Sequence, residues 1–173
     1  MIAVDRKMLF GRLNRHCVRS FESAAGLAVS RGNQTVTVEH VLLKMLDEPG
    51  CDIHDILRHY GVDASRVAKM LNHHVEHLRG GHQGRPAMDD SLVDWVQEGW
   101  LLASIEMNSA AVRSGALFMA LINRPEKYAD GDWNEILEPI GKDDLKKNIA
   151  SICTGSVEDD SPSVAPPGQP GTD

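Results

Sequence analysis

The sequence predicts an all-α protein with two pseudo-symmetric four-helix repeats, a short N-terminal helical extension and a disordered C-terminal linker. Apolar residues recur at spacings of three and four along most of the chain, which is the period of amphipathic helices. The apolar run Val41–Leu46 returns 76 residues later as Leu117–Ile122, which indicates an internal repeat. Residues 154–173 are rich in proline, glycine, serine and acidic side chains, a composition that favours disorder.

The first repeat, residues 10–79, divides into four predicted helices. The first helix ends before Gly32 and has one apolar stripe, which consists of Leu9, Leu13, Cys17, Phe21, Ala24 and Ala28. Thr37 is a predicted N-cap of the second helix, because its hydroxyl can accept a hydrogen bond from the first turn. Gly61 ends a short third helix, and Asp63 caps a fourth.

The second repeat, residues 88–153, follows a glycine-rich connector over residues 80–87. Its third helix and the start of its fourth are predicted from Ile136-Leu137, Gly141 and Asp143, which match Ile56-Leu57, Gly61 and Asp63 at a spacing of 80. This longer spacing places about four extra residues in the preceding loop of the second repeat. Residues 1–9 form the predicted extension, and residues 154–173 form a flexible linker that leads towards further domains.

The composition argues against several classes of partner. The 173-residue chain has a formal net charge of −7 and no run of Lys or Arg, which argues against a nucleic-acid partner. No apolar stretch approaches the roughly 18 residues that span a membrane, and the N-terminus lacks a secretory pattern. Three widely spaced cysteines do not suggest a disulfide framework. We expect a cytoplasmic protein with reduced thiols that binds neither nucleic acid nor membrane.

Common enzyme motifs are missing from the sequence. It contains no G-x-x-x-x-G-K-[ST] loop for a nucleotide, no G-x-S-x-G elbow, no H-E-x-x-H and no C-x-x-C pair. We therefore expect no catalytic residue, no cofactor and no metal in this chain, and we expect that the chain is not an enzyme.

Four stretches resemble a known family. Glu22–Ala28 and Val36–Leu43 in the first repeat resemble the Clp amino-terminal (Clp N) domain, which precedes the ATPase rings of ClpB-type AAA+ unfoldases. Trp100–Glu106 and Val112–Leu117 in the second repeat resemble the branch called ClpV or TssH, the ATPase of the type VI secretion system. The resemblance covers residues 1–153.

The resemblance implies a substrate-recognition domain for a motor that this chain does not contain. In that family the domain captures an N-terminal helix of a contracted sheath subunit (TssC or VipB-like). The ATPase rings, hexameric in the full-length protein and dependent on ATP and Mg²⁺, then disassemble the sheath. An extra N-terminal helical segment helps to build the groove, and Val4–Phe10 is placed to supply it. Ala116 departs from the family, which often has His there, as the first repeat has at His40.

A groove that accepts a helix needs large apolar residues that the core leaves partly exposed. The candidates lie at the starts of the two repeats: Leu9, Phe10, Leu13, Met88, Leu92 and Trp95. The candidates for a polar rim are Asn14, Arg15 and Arg85. The alternative for the apolar set is packing in the seam between the repeats, and for the polar set it is ordinary solvent exposure.

Two other functions stay open on the sequence. The domain could serve a general ClpB-, ClpA- or ClpC-type chaperone unfoldase, which binds many apolar segments or an adaptor. A metal-binding helical module would use His73 and His77, which lie one helical turn apart. A solvated polar face explains this His pair better, because a structural zinc site needs four ligands and no cysteine is near in sequence.

Overall fold

The computed structural model describes residues 5–159 and confirms the all-α prediction within that range. The helices of the described residues are α1 (Arg6–Phe10), α2 (Arg15–Arg31), α3 (Val38–Met45), α4 (Asp52–His59), α5 (Ala64–Glu76), α6 (Asp90–Glu106), α7 (Ser114–Asn123), α8 (Pro125–Tyr128) and α9 (Lys142–Ile152). A 3₁₀ helix spans Trp133–Leu137, and two short strands are β1 (Thr35–Val36) and β2 (Ala87–Met88). None of the described helices is long and apolar enough to cross a membrane.

Local sequence signals set most of the helix ends in the first repeat. The side chain of Thr37 accepts a hydrogen bond from His40 N, so Thr37 is the N-cap of α3 as predicted. Asp63 caps α5 by accepting a hydrogen bond from Ser65 N. Gly32, the residue after α2, has a φ of 67°, a left-handed conformation that suits glycine. These ends depend only on residues within one helical turn.

The second repeat differs from the prediction at its third helix. The segment around Ile136 forms the 3₁₀ helix instead of an α-helix, and α8 lies in the longer loop before it. Glu39 Oε2 accepts hydrogen bonds from Asp130 N at 2.7 Å and from Trp133 Nε1 at 2.9 Å. These two bonds to the first repeat fix the start of a segment that is only five residues long, and 3₁₀ geometry is common in such short pieces.

Two short parallel pairings join the repeats in a crossed arrangement. Strand β1, which precedes α3, pairs with β2, which precedes α6. In the other direction Leu13, just before α2, pairs with Val112, just before α7. In each pairing, the segment before the first helix of one repeat lies beside the segment before the second helix of the other repeat. This crossed pairing holds the starts of α2 and α6 in equivalent positions.

The core runs through both repeats, with α2 packed on α3 and α6 packed on α7. Trp95 is fully buried and donates a hydrogen bond from Nε1 to Leu117 O at 2.7 Å. Gly99 permits the close packing of α6 on α7, because a Cβ atom there would lie 2.6 Å from Leu117 Cδ2. A Cβ at this position would require the buried side chain of Leu117 to move.

The predicted boundary of the C-terminal linker at residue 154 is wrong. Residues 154–159 pack against the domain, and both Ser156 and Glu158 are buried. Val157 N donates a hydrogen bond to Gly50 O at 3.0 Å, which fixes this segment beside the start of α4. Composition alone does not predict this packing, because polar side chains are buried only where the fold supplies hydrogen-bond partners for them. The rest of the predicted linker, residues 160–173, lies outside the described residues, as does Val4 of the predicted extension.

Candidate functional site

Helix α1 lies against the start of α6, so the N-terminal segment and the start of the second repeat share one surface. Asp5 caps α1 by accepting hydrogen bonds from Lys7 N and Met8 N, at 3.0 and 3.3 Å. Arg6 Nη2 lies 3.5 Å from Asp90 Oδ1, which joins the first turns of the two helices across the surface. Both charges are solvent-exposed, so this ion pair orients α1 more than it stabilises it.

Four of the six predicted groove residues are not exposed. Leu9, Leu13, Leu92 and Trp95 retain at most 4% of their accessible surface and belong to the core. The expectation that they would stand partly exposed is therefore wrong for this structure, and packing in the seam describes their surroundings. The reason is the crossed pairing, which places the start of each repeat's first helix inside the junction rather than at its edge.

The other two predicted groove residues reach the surface. Met88 is 41% exposed, and Phe10 is half-buried with its ring packed edge-on against Phe21 at a centroid distance of 5.6 Å. Met8 on α1 is 58% exposed, and sequence reasoning missed it. The sequence signal for its exposure is that Met8 lies in the predicted helical extension but outside the apolar stripe. Met8 lies on α1, two residues after Arg6, and Met88 lies on β2, two residues before Asp90.

The predicted polar rim separates into exposed and buried residues. Arg15 and Arg85 are exposed, but Asn14 is fully buried, so its place on a rim is wrong. Asn14 is the N-cap of α2 and accepts a hydrogen bond from Cys17 N at 2.8 Å. Its amide also donates to Glu158 Oε1 at 2.9 Å, a contact between residues 144 positions apart that no local pattern could indicate.

A buried polar cluster, which sequence reasoning missed, surrounds the carboxylate of Glu158. Oε1 accepts hydrogen bonds from Asn14 Nδ2 and Ser114 N, at 2.9 and 2.8 Å. Oε2 accepts from Asp52 N at 2.7 Å and from Ser114 Oγ at 2.5 Å. The carboxylate thus satisfies free amides at the N-termini of α4 and α7, where the helix dipoles favour a negative charge.

Asp52 and Arg113 form the charged half of this cluster. Arg113 donates from Nε and Nη2 to the two carboxylate oxygens of Asp52, at 2.8 Å each, and from Nη2 to Asp159 at 2.7 Å. Burial and the neighbouring Glu158 raise the pKa of Asp52 to about 6, although Arg113 acts in the opposite direction. The geometry is bidentate, which is the strongest form of this pair.

Neither group of candidate metal ligands among the described residues favours a metal. His16, Cys51 and Glu158 have buried ligand atoms within 4.8 Å of one another, but each oxygen of Glu158 already accepts two hydrogen bonds. The rings of His73 and His77 lie 4.2 Å apart, and His77 Nδ1 is bonded to His73 O. No third ligand within the described residues joins that pair.

The comparisons with known proteins agree with this architecture. The sequence profile of the Clp repeat (R) N-terminal domain matches residues 12–131. This chain belongs to that family. The Clp N-terminal domain described here is 30% identical over 125 residues to the AAA+ ATPase ClpV1 of Pseudomonas aeruginosa. It is 27% identical over 125 residues to the chaperone protein ClpB of Yersinia enterocolitica. Each alignment covers 72% of this chain and 14% of the relative, so the chain spans a small part of either protein.

Solved structures match the Clp N-terminal domain over nearly its whole length. The N-domain of ClpV from Vibrio cholerae is 32% identical and superposes with a TM-score of 0.85, covering 91% of this chain and 95% of that one. A complex of a ClpV N-domain with a VipB peptide is also 32% identical and superposes with a TM-score of 0.82. That match covers 91% of this chain and 97% of the solved chain.

Proposed function

We propose that this chain is the substrate-recognition domain of a type VI secretion AAA+ unfoldase in the bacterial cytoplasm, and that it binds an N-terminal helix of a sheath subunit. One observation carries the proposal: the chain superposes over 91% of its length on a ClpV N-domain solved with a VipB peptide. Catalysis is assigned to ATPase rings beyond this chain, so the chain itself has no catalytic residue and needs no cofactor.

The surface that would receive the helix lies beside the ion pair between α1 and α6. Met8 and Phe10 on α1 and Met88 on β2 supply exposed or half-exposed apolar atoms, and thioether side chains adapt their shape to a partner. Arg12 lies with its guanidinium 5.3 Å from the ring centroid of Trp100, next to the same segment. Arg15 and Arg85 are exposed polar candidates for the rim of this surface. A helix with an apolar face at three- and four-residue spacing suits such a surface.

In this proposal the buried members of the predicted groove support the binding surface and do not contact the peptide. Leu9 anchors α1, and Leu13 pairs with Val112, so both fix the wall of the surface without contacting the peptide. Trp95 and Leu92 hold the start of α6 in the core. An arginine at Leu13 would therefore test folding rather than binding, because it would place an unpaired charge in the core.

Calorimetric titration with a peptide spanning the N-terminal helix of the sheath subunit tests the proposal, with a scrambled peptide as its control. We expect selective binding of the native sequence, and several domains on one ring would raise its apparent affinity for a polymeric sheath. Failure of both peptides to bind would contradict the proposal.

Substitution of the exposed methionines locates the surface. Met88→Arg and Met8→Arg should each weaken peptide binding at least tenfold, because a charge replaces an apolar contact, while the thermal unfolding midpoint stays nearly unchanged. The matched control is Ile105→Arg, which changes a 72% exposed residue at the far end of α6. Equal binding by all three variants would place the peptide on another surface.

The second candidate is the domain of a general chaperone unfoldase, which the similarity to ClpB favours. Such a domain should bind the native and scrambled peptides alike, because it recognises apolar segments rather than one helix. Equal affinities in the same titration would select this function over sheath recognition.

A further inference from the structure

The segment that follows α9, residues 154–159, is named the strap here. It closes over the N-termini of α4 and α7 and places Glu158 between them. Gly155 N and Arg113 Nη2 both donate to Asp159, at 2.6 and 2.7 Å, which holds the end of the strap. The strap therefore docks on groups that belong to both repeats.

Polar contacts rather than apolar burial hold the strap. Its two buried residues are Ser156 and Glu158, whereas Val157 is 54% exposed. Ser156 Oγ donates to Asp52 Oδ1 at 2.5 Å, and the other partners are the guanidinium of Arg113, backbone groups and hydroxyls. Water can replace each of these bonds when the strap leaves, and little apolar surface becomes exposed.

The site that receives Glu158 keeps its shape without the strap. Asp52 N and Ser114 N lie at the first residues of α4 and α7, and both helices pack on the core through buried residues such as Ile53 and Leu117. Free amides at helix N-termini form a ready anion site. Opening of the strap therefore leaves a preformed site to which the same carboxylate can return.

We propose that the strap is a latch, which opens and closes on the N-termini of α4 and α7 while the rest of the domain stays folded. Glu158 is the residue that closes it. Opening releases the six residues of the strap from the surface of the domain. An extended segment of that length spans roughly 20 Å. The latch thus sets the length of chain after α9 that is bound to the domain.

Hydrogen exchange of two amides tests the latch in the 173-residue chain. Asp52 N and Ser114 N exchange when the strap opens, whereas core amides exchange only on global unfolding. Glu158→Gln places an amide donor against these N–H groups, so we expect it to raise their exchange rates at least tenfold. Amides in the middle of α7 should keep their rates. Val157→Ala is the matched control, because it changes an exposed residue of the same strap.

A reversible crosslink supplies the second test and does not depend on the folding of the Glu158 variant. A Cβ atom at Gly50 would lie 3.7 Å from Val157 Cβ, which is the separation found in disulfides. The double variant Gly50→Cys/Val157→Cys should form this bond when oxidised. We expect oxidation to slow exchange at Asp52 N and Ser114 N at least tenfold, and reduction to restore it.

Two results would overturn the latch. One is that core amides in the Glu158→Gln variant gain as much exchange as Asp52 N and Ser114 N, since the strap would then unfold only with the whole domain. The other is that the disulfide leaves both rates unchanged. Neither readout involves the sheath peptide, so the latch and the proposed function can fail separately.

Discussion

The second helix of each repeat starts in a different way, although the two starts occupy equivalent positions. In the first repeat α3 is capped locally: Thr37 Oγ1 accepts from His40 N, and His40 Nδ1 accepts from Thr37 N at 3.0 Å. In the second repeat Arg113 and Ala116 stand at the matching positions, and α7 has no side-chain cap from its own N-cap residue. Glu158 caps α7 instead.

Ala116 cannot form the reciprocal bond that His40 makes in the first repeat. A methyl group cannot accept a hydrogen bond, and the first amides of α7 bond instead to acceptors from elsewhere in the chain. Glu158, 44 positions away, accepts from Ser114 N, and Asp52 accepts from Gly115 N at 3.3 Å. Two copies of one unit can therefore start the same helix in two ways, one with a local cap and the other with long-range contacts.

The largest loss of stability should come from Arg113→Ala, which removes the guanidinium group that pairs with the buried carboxylate of Asp52. Asp52 would keep its buried carboxylate without its charged partner, and the free energy of unfolding at pH 8 should fall by about 3–5 kcal/mol. Chemical denaturation measures it. Arg124→Ala is the control, because its exposed ion pair with Glu98 spans 3.8 Å and should contribute about 0–1 kcal/mol. Equal losses of stability in both variants would show that the buried ion pair contributes no more than the exposed one.

The next largest effect is the pH dependence of stability that His40 gives to the cap of the first repeat. Burial lowers the pKa of His40 to about 4, and the nearby His74 and Arg31 act in the same direction. In the neutral ring Nδ1 accepts from Thr37 N and Nε2 donates to Asn33 Oδ1. The unfolded chain therefore binds more protons between pH 6.5 and 4. The contribution of His40 to stability is complete above pH 6.5 and falls as the pH drops towards 4, by as much as about 3 kcal/mol.

Denaturation curves at pH 7.5 and 4.5 for the wild type and His40→Gln measure this slope. The pKa of Asp52, raised to about 6, gives the opposite slope in both proteins and cancels in the difference. A His40→Gln variant that loses as much stability on acidification as the wild type would contradict a neutral His40 in the first cap.

The smallest effect should come from Thr37→Ala, the counterpart of Arg113→Ala in the first repeat. It removes one local cap, and the typical loss for such a change is about 1 kcal/mol. Thermal unfolding of the two variants side by side compares the caps directly. A loss from Thr37→Ala that equals the loss from Arg113→Ala would remove the distinction between local and long-range capping.

Much of the fold could be predicted from the sequence because its causes are local. Helical periodicity, the N-cap Thr37, the N-cap Asp63 and the terminating glycines each act within a turn or two. The internal repeat and the family resemblance follow from the order of residues alone. The exposed position of Met88 was also predictable, since it follows a polar connector and precedes a cap.

Long-range packing determines which face of each helix remains exposed to solvent. Periodicity shows that Leu13 and Trp95 lie on apolar faces, but it does not show what covers those faces. The crossed strand pairing buries them, while Met8 and Met88 remain outside. Glu158 is the extreme case, because its burial depends on partners 44 to 144 positions away that only the folded chain brings together. A carboxylate enters the interior where several donors converge, and that convergence is a property of the assembled helices rather than of any stretch of sequence.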